Sequence, residues 1–134
     1  MSISSEALLK WHQLVAEKDF SSLDTVLADN VVFYSPVVHT PQVGKEITKM
    51  YLFAAFQVLC NDTFKYVREV AGEKDAVLEF DVEIDGVIVD GVDMITWDEH
   101  GLISEFKVMV RPLKAINTLH QLMMKELQAL EQKS

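Results

Sequence analysis

Asp85-Gly86 stands between two long runs that alternate apolar and polar residues, and this pair restricts the fold more than any other feature. A two-residue hairpin turn of type I′ needs positive φ at both central positions, which Asp-Gly supplies readily. Counting outward from the turn pairs Ile84 with Val87 and sets Leu78 opposite Asp93. One face of the hairpin then reads Leu78, Phe80, Val82 and Ile84 against Val87, Val89, Gly91, Asp93, Ile95 and Trp97. A carboxyl group on such a surface has to be solvated, paired or neutral, because a lone buried charge is very costly.

The rest of the chain gives that hairpin its setting. Ser4 or Ser5 caps a first helix to about Lys18, with Leu8, Trp11, Leu14 and Val15 on one face. A second, short helix is expected over Ser22 to Ala28, and a strand over Val31 to Ser35 that stops at Pro36, which lacks a ladder donor. Pro36 to Gly44 is a loop. A third helix runs from about Lys45 to Leu59, with Ile47, Met50, Tyr51, Ala54, Ala55 and Val58 at helical spacing. Strands follow over about Thr63 to Ala71, Ala76 to Ile84, Val87 to Trp97 and Leu102 to Arg111, and a final amphipathic helix spans Leu113 to Gln132. Helices first, a meander of long antiparallel strands, then one more helix define an α+β architecture with helices packed on one face of a curved sheet.

Gly101 could support a bulge that shifts the pairing of the last strand by one, and the apolar pattern decides the register by placing Leu102, Phe106, Val108 and Val110 on the Asp93 side, with Ser104 as the one polar member. The opposite sheet face mixes Ile88, Val92, Met94, Ile103 and Met109 with Glu79, Asp81, Glu83, Asp90, Glu105, Lys107 and Arg111. It is too apolar to be fully wet and too charged to be core, so a homodimer contact through this outer face is expected. Arg68 should share a face with Phe64, Tyr66 and Val70. From there it would pair with a ligand carboxylate or with Asp93, unless it is an exposed strand arginine paired across the sheet.

Composition excludes several classes. A chain of 134 residues, 49% apolar, forms one domain with a real core. Its net charge of −9 and the lack of any basic stripe argue against nucleic acid. No apolar run reaches the ~20 residues of a membrane span, and Met-Ser-Ile-Ser-Ser-Glu has neither region of a signal peptide. A cytoplasmic protein is expected, in keeping with the single Cys60, read as a buried structural thiol. Four scattered histidines, with no CxxC, HExxH, GxSxG, P-loop or GxGxxG, point to no metal and no cofactor.

The layout resembles the nuclear-transport-factor-2-like superfamily, in its SnoaL-like and ketosteroid-isomerase-like branch. The matching pieces are Asp19-Phe20 through Leu27-Ala28-Asp29-Asn30, Val32-Phe33-Tyr34-Ser35-Pro36, Gly44-Lys45-Glu46 opening a helix, and Asp93-Met94-Ile95 followed by Gly101-Leu102-Ile103. The similarity covers about residues 5 to 111, leaving 113–133 as an added C-terminal helix on a single domain. The resemblance implies a cone-shaped half-barrel, its sheet wrapped around the N-terminal helices over a deep apolar pocket. Superfamily members include isomerases, dehydratases, cyclases, epoxide hydrolases and proteins without catalysis, so the fold licenses a pocket and no particular activity.

Carried over residue by residue, the resemblance is partial. The catalytic base of ketosteroid isomerases, an Asp before the proline of the first strand, falls on Ser35, which cannot abstract a carbon-bound proton unaided. Their oxyanion-hole Tyr on the first helix falls on Trp11, whose indole N–H only donates. The second oxyanion donor, an Asp kept protonated by its apolar site, falls on Asp93. Steroid isomerisation by the usual route is therefore not expected.

The pocket lining expected from this reading is Trp11, Phe33, Ser35, Tyr51, Asp93, Phe106, Val108 and Val110. Asp93 is either a neutral acid donating to a ligand oxygen or a buried acid bonded to Tyr51, Ser35 or Trp11. His39 lies in the loop expected at the pocket mouth, as a proton shuttle or as a solvated histidine. Three functions stand side by side. The first is binding of a small, mostly apolar molecule bearing a carbonyl or hydroxyl group. The second is a cofactor-independent isomerase, dehydratase or cyclase with Asp93 as donor or acid and His39 as base. The third is a non-catalytic dimeric interaction module. The last helix closes the cone or packs on a partner.

Overall fold

The computed structural model describes residues 3–133, so Met1 and Ser2 of the N-terminal stretch read above, and Ser134, lie outside the described residues. Helix α1 (Ile3–Glu17) is followed by a 3-10 turn (Phe20–Ser22), a single helical turn α2 (Leu23–Val26), strand β1 (Leu27–Tyr34) and the short β2 (Gln42–Val43). Then come α3 (Lys45–Leu59), four strands and a last helix. The strands are β3 (Lys65–Ala71), β4 (Asp75–Ile84), β5 (Val87–Trp97) and β6 (Ile103–Arg111), and α4 is Leu113–Lys133. They make one six-stranded curved sheet in the order β2-β1-β6-β5-β4-β3, antiparallel except where β1 runs parallel to β6. Four helices and this open, mixed sheet form the α+β cone that the sequence predicts. Among the described residues no helix is long and apolar enough to cross a membrane.

The central hairpin follows the sequence closely. Asp85 and Gly86 have φ of 51° and 77°, as a type I′ turn requires. Ten consecutive pairs then run from Ile84↔Val87 to Asp75↔Thr96 without a break, with Leu78 opposite Asp93. Leu78, Phe80, Val82, Ile84, Val89, Ile95 and Trp97 are all buried on the inner face. Gly91 is opposite Phe80 for a packing reason. A Cβ there would lie 2.4 Å from Phe80 Cζ and 3.0 Å from the Met109 carbonyl oxygen, so the missing side chain is the space in which the Phe80 ring lies.

Besides β2, two residues of strand paired with Val32 and Phe33 inside the expected Pro36–Gly44 loop, the structure departs from the expected pattern in three places. The helix expected over Ser22 to Ala28 ends at Val26, because Leu27 already pairs with Ile103 of β6 and β1 starts there. Sheet pairing and burial of Leu27 and Ala28 override a weak local helix preference. On β6 the register shifts by one between Thr96 and Trp97, leaving Ser104 unpaired as a bulge. Ile103, expected on the outer face, is therefore buried opposite Trp97, and Leu102 lies before the strand.

The third departure is on β3, where Tyr66 pairs with Phe80 but Arg68 pairs with Glu79, with Val67 as the extra residue. Arg68 thus lies on the outer face, its Nε 3.3 Å from Glu79, rather than beside Tyr66. It is the exposed, cross-strand arginine of the two readings. Near it, one oxygen each of Glu79, Asp81 and Asp90 come within 4.8 Å of one another, and Arg111 reaches Asp90 at 3.3 Å. Val77, Ile88 and Met109 are exposed on the same face.

Candidate functional site

Between α3, α4 and the inner sheet face lies a narrow cavity that leaves ≈ 40 Å³ for the centres of water-sized molecules, within ≈ 640 Å³ of atom-free space that includes the solvent at its mouth. Its floor is sheet: Phe33 from β1, Phe80 from β4, Asp93 from β5, and Phe106, Val108 and Val110 from β6. Helical spacing on α3 aims Leu52, Ala55, Phe56 and Leu59 at it, and the chain just past α3 adds Cys60 and Phe64. Leu119 and Met123 of α4 complete the wall, so the last helix closes this end of the cone.

Five of the expected lining residues, Phe33, Ser35, Phe106, Val108 and Val110, line this cavity together with Asp93. Trp11 and Tyr51 do not. Trp11 is fully buried one layer away, its ring 5.1 Å from Phe106 and 5.6 Å from Phe56, and Tyr51 packs against Phe33 at 5.7 Å. His39 is exposed and borders a neighbouring recess that shares Ser35, Pro36, Val108 and Val110 with the cavity, but it is not among the residues lining the cavity of Asp93. Ser35 Oγ accepts hydrogen bonds from the backbone N–H groups of Val37 (3.1 Å) and Val38 (3.3 Å), a local turn that leaves its own proton free to rotate.

The polar core of the site is a three-residue relay. Trp11 Nε1 donates to Tyr66 Oη at 3.0 Å, and Tyr66 Oη donates to Asp93 Oδ2 at 2.7 Å. The direction is fixed by chemistry, because an indole N–H can only donate. Tyr66 spends one acceptor position on Trp11 and its single proton on Asp93. Asp93 Oδ2 is therefore an acceptor whether the acid is ionised or not. When Asp93 is neutral its proton sits on Oδ1, which among the described residues has no hydrogen-bond partner. Asp93 is thus bonded to Tyr66 and to none of Tyr51, Ser35 or Trp11.

The surroundings set the acidity. Burial pushes Asp93 up to about 7, while the hydrogen bond from Tyr66 pulls it down. Burial also raises Tyr66 well above the ordinary phenol range, as does the nearby Asp93 charge. The Cys60 thiol is pushed up to about 12, first by burial and then by Asp93, which makes it an inert wall residue. At neutral pH Asp93 is therefore poised to present either an O–H donor or a carboxylate acceptor at Oδ1.

Tyr66 is the residue that sequence reasoning missed. Simple alternation puts it on a face with Arg68, and the alternation of Phe64 and Tyr66 is the one local signal that both face inward. Counting Tyr66 against Phe80 of the well-defined hairpin would have brought it to Asp93, two pairs along.

Comparison with known proteins agrees with this architecture. The SnoaL-like domain family matches residues 8–106, which is most of the chain. A steroid delta-isomerase from Pseudomonas aeruginosa is 33% identical, the match covering 97% of this chain and 95% of that one, with a TM-score of 0.91. An uncharacterised bacterial protein with a cystatin-like fold from Silicibacter pomeroyi is 31% identical over 89% of this chain and 83% of its own, with a TM-score of 0.82. The fold is shared more distantly by a Mycobacterium tuberculosis protein solved with estradiol-17β-hemisuccinate, 17% identical over 85% of this chain and 97% of its own, TM-score 0.64. No curated protein matches the sequence. The chain belongs to the SnoaL-like domain family, within the nuclear-transport-factor-2-like fold.

Proposed function

We propose that this protein binds a small, mostly apolar molecule in the cavity under α3 and α4, with Asp93 Oδ1 contacting a carbonyl or hydroxyl oxygen of the ligand. One observation carries the reading. In a cavity with aromatic and aliphatic walls, the relay from Trp11 through Tyr66 leaves Oδ1 as the acid's one unsatisfied position. Among the described residues the fully buried, unpartnered side-chain oxygens are Thr48 Oγ1 and Asp90 Oδ1, so Asp93 Oδ1 keeps access to the cavity and a ligand oxygen can take the place of water on it. A neutral Asp93 donates to a carbonyl, and an ionised one accepts from a hydroxyl.

The test is the binding of phenyl ketones, enones and sterol ketones, measured by thermal shift across the Asp93 titration. Ketones should stabilise the protein below about pH 7 and lose that effect above it, as Oδ1–H is removed. Asp93→Asn should bind ketones at both pH values, because an amide N–H replaces the acid proton. No stabilisation by any of these compounds at low pH would overturn the reading and favour a filled cavity in an interaction module.

A second reading, an isomerase, is favoured by the 33% identity to the Pseudomonas aeruginosa steroid delta-isomerase. Such an enzyme needs a base, and Ser35 stands where the related branch carries its Asp. The ionisable groups in the cavity wall are Asp93, Tyr66 and Cys60, so Asp93 itself would have to move the proton. Turnover of a bound steroid ketone, rising with ionisation of Asp93 and lost in Asp93→Asn, would support this reading. Binding without turnover would leave the first one alone. We also propose a homodimer through the outer sheet face, where Val77, Ile88 and Met109 are exposed among charges of both signs. A monomeric elution volume at micromolar concentration would remove it.

A further inference from the structure

We infer that the same cavity takes small apolar amines as their ammonium ions, held by the Asp93 carboxylate inside a ring of aromatic faces. The inference rests on the reading that the Asp93 cavity admits a ligand, and it names a class of ligand which that reading does not.

The argument starts from what the cavity lacks. Among the described residues, the eighteen that line it include one carboxylate and no Lys, Arg or His. Among the described residues, those that line the cavity around Asp93 are neutral or apolar. Strand β3 offers Tyr66, the end of α3 offers Cys60, α1 offers Trp11, β6 offers Phe106, Val108 and Val110, and α4 offers Leu119 and Met123. The basic groups lie in two adjoining grooves. His12, Lys18 and Lys65 border one that shares Cys60, Phe64 and Tyr66 with the cavity, with His12 edge-on to the Tyr66 ring and held by Glu69 at 2.6 Å. His39 and Lys107 border another that shares Ser35, Pro36, Val108 and Val110. Arg68, the one cation that a straight β3 ladder would have turned inward, is carried outward by the Val67 bulge and paired with Glu79. An ionised Asp93 is thus a buried anion whose partners are a phenol and an open position, and such a charge strongly favours an incoming cation.

The walls suit that cation. Six rings line the cavity: Phe33, Phe56, Phe64, Tyr66, Phe80 and Phe106. Aromatic faces attract ammonium groups, and more so when water is excluded. An ammonium donates to Oδ1 while Oδ2 keeps the Tyr66 bond, so the relay need not break. A carboxylate ligand meets the opposite situation, a like charge with no basic residue to receive it. The net charge of −9 further enriches cations over anions near the mouth.

The same oxygen therefore serves two ligand classes with opposite pH dependence. Ketones need the proton on Oδ1, and amines need it gone. Calorimetric titration of the intact protein with 2-phenylethylamine, 2-phenylethanol, 4-phenyl-2-butanone and 3-phenylpropionate tests this, at about pH 8 and about pH 5.5, on either side of the Asp93 titration. The amine should bind about tenfold or more tighter than the alcohol at the higher pH, the scale of one charge-assisted hydrogen bond. That ratio should fall towards one at the lower pH. Asp93→Asn should abolish the amine preference and keep alcohol and ketone binding, and 3-phenylpropionate should bind worst at the higher pH. Alcohol or ketone binding with no amine preference at about pH 8 would overturn the inference and leave the cavity reading standing. Failure of all four compounds to bind would overturn both.

Discussion

The β4–β5 hairpin and the two ladders that flank it are built differently. The hairpin runs ten pairs without interruption, and every second residue faces the core. The β3–β4 and β5–β6 ladders each carry one extra residue, Val67 and Ser104. The regular element places the acid. The irregular ones choose its company, since the β3 bulge keeps Tyr66 inside and Arg68 outside, and the β6 bulge buries Ile103. A strand with period 2 has no tolerance for a slip, because one residue flips all that follow to the other face. A bulge absorbs the slip, which makes the flanking strands the place where the site's electrostatics are set.

The largest effect should come from breaking the regular element. Deleting Val92 from β5 puts either Asp93, Ile95 and Trp97 or Val89 and Gly91 on the wrong face. This should abolish the folded state, read as loss of a cooperative thermal transition.

Next is the acid itself. Its folded-state value of about 7 lies above the ordinary 3.8, so the stability associated with its protonation is fully present below about pH 4 and is lost as the pH rises to about 7. The wild type should therefore weaken between about pH 4 and pH 7 by at most roughly 4 kcal/mol, at 1.36 kcal/mol per pH unit. Asp93→Asn should lack this dependence and be the more stable protein at about pH 8. Equal pH profiles of the two proteins in denaturant titrations would show that Asp93 is ionised at little cost.

Tyr66→Phe is a smaller perturbation. It leaves the Trp11 N–H and Asp93 Oδ2 unpaired, a loss of about 1–3 kcal/mol. It should also raise Asp93 further, because the bond it removes is the one that lowers it. A carboxyl titration followed by NMR would read the direction. The smallest effect should come from deleting Val67, the exposed bulge residue. Tyr66 and Arg68 would keep their faces on a straightened ladder, with a change in stability of less than about 1 kcal/mol. A deletion at Val67 as damaging as one at Val92 would sink the distinction between the two kinds of strand.

The same distinction explains what was legible in the sequence. Alternation plus a turn signal gave the hairpin, its register and the acid among apolar neighbours. Helical spacing gave α3 at its observed bounds and α4 to within a residue. Bulges carry a weaker signal: Gly101 hints at the shift in the last hairpin but the apolar pattern outweighs it and puts Ile103 on the wrong face, and nothing local marks Val67, so alternation cannot choose between the two readings of Arg68. The short helix before β1 is shorter than its local pattern suggests because Leu27 is committed by a parallel pairing with Ile103, far along the chain, and Ala28 is buried with it. Asp93 announced itself by breaking a pattern. Tyr66 fits its pattern, and nothing local says that its hydroxyl reaches a carboxyl on β5.

The relay also has an optical consequence. Ionising Asp93 strengthens the bond it receives from Tyr66, and a phenol that gives up more of its proton becomes a better acceptor for the Trp11 indole N–H. The excited state of indole is sensitive to that bond, so the emission of Trp11 should report the charge on a carboxyl it does not touch. Trp97 is the only other tryptophan, and Trp97→Phe would leave a protein with a single fluorophore wired to its own buried acid.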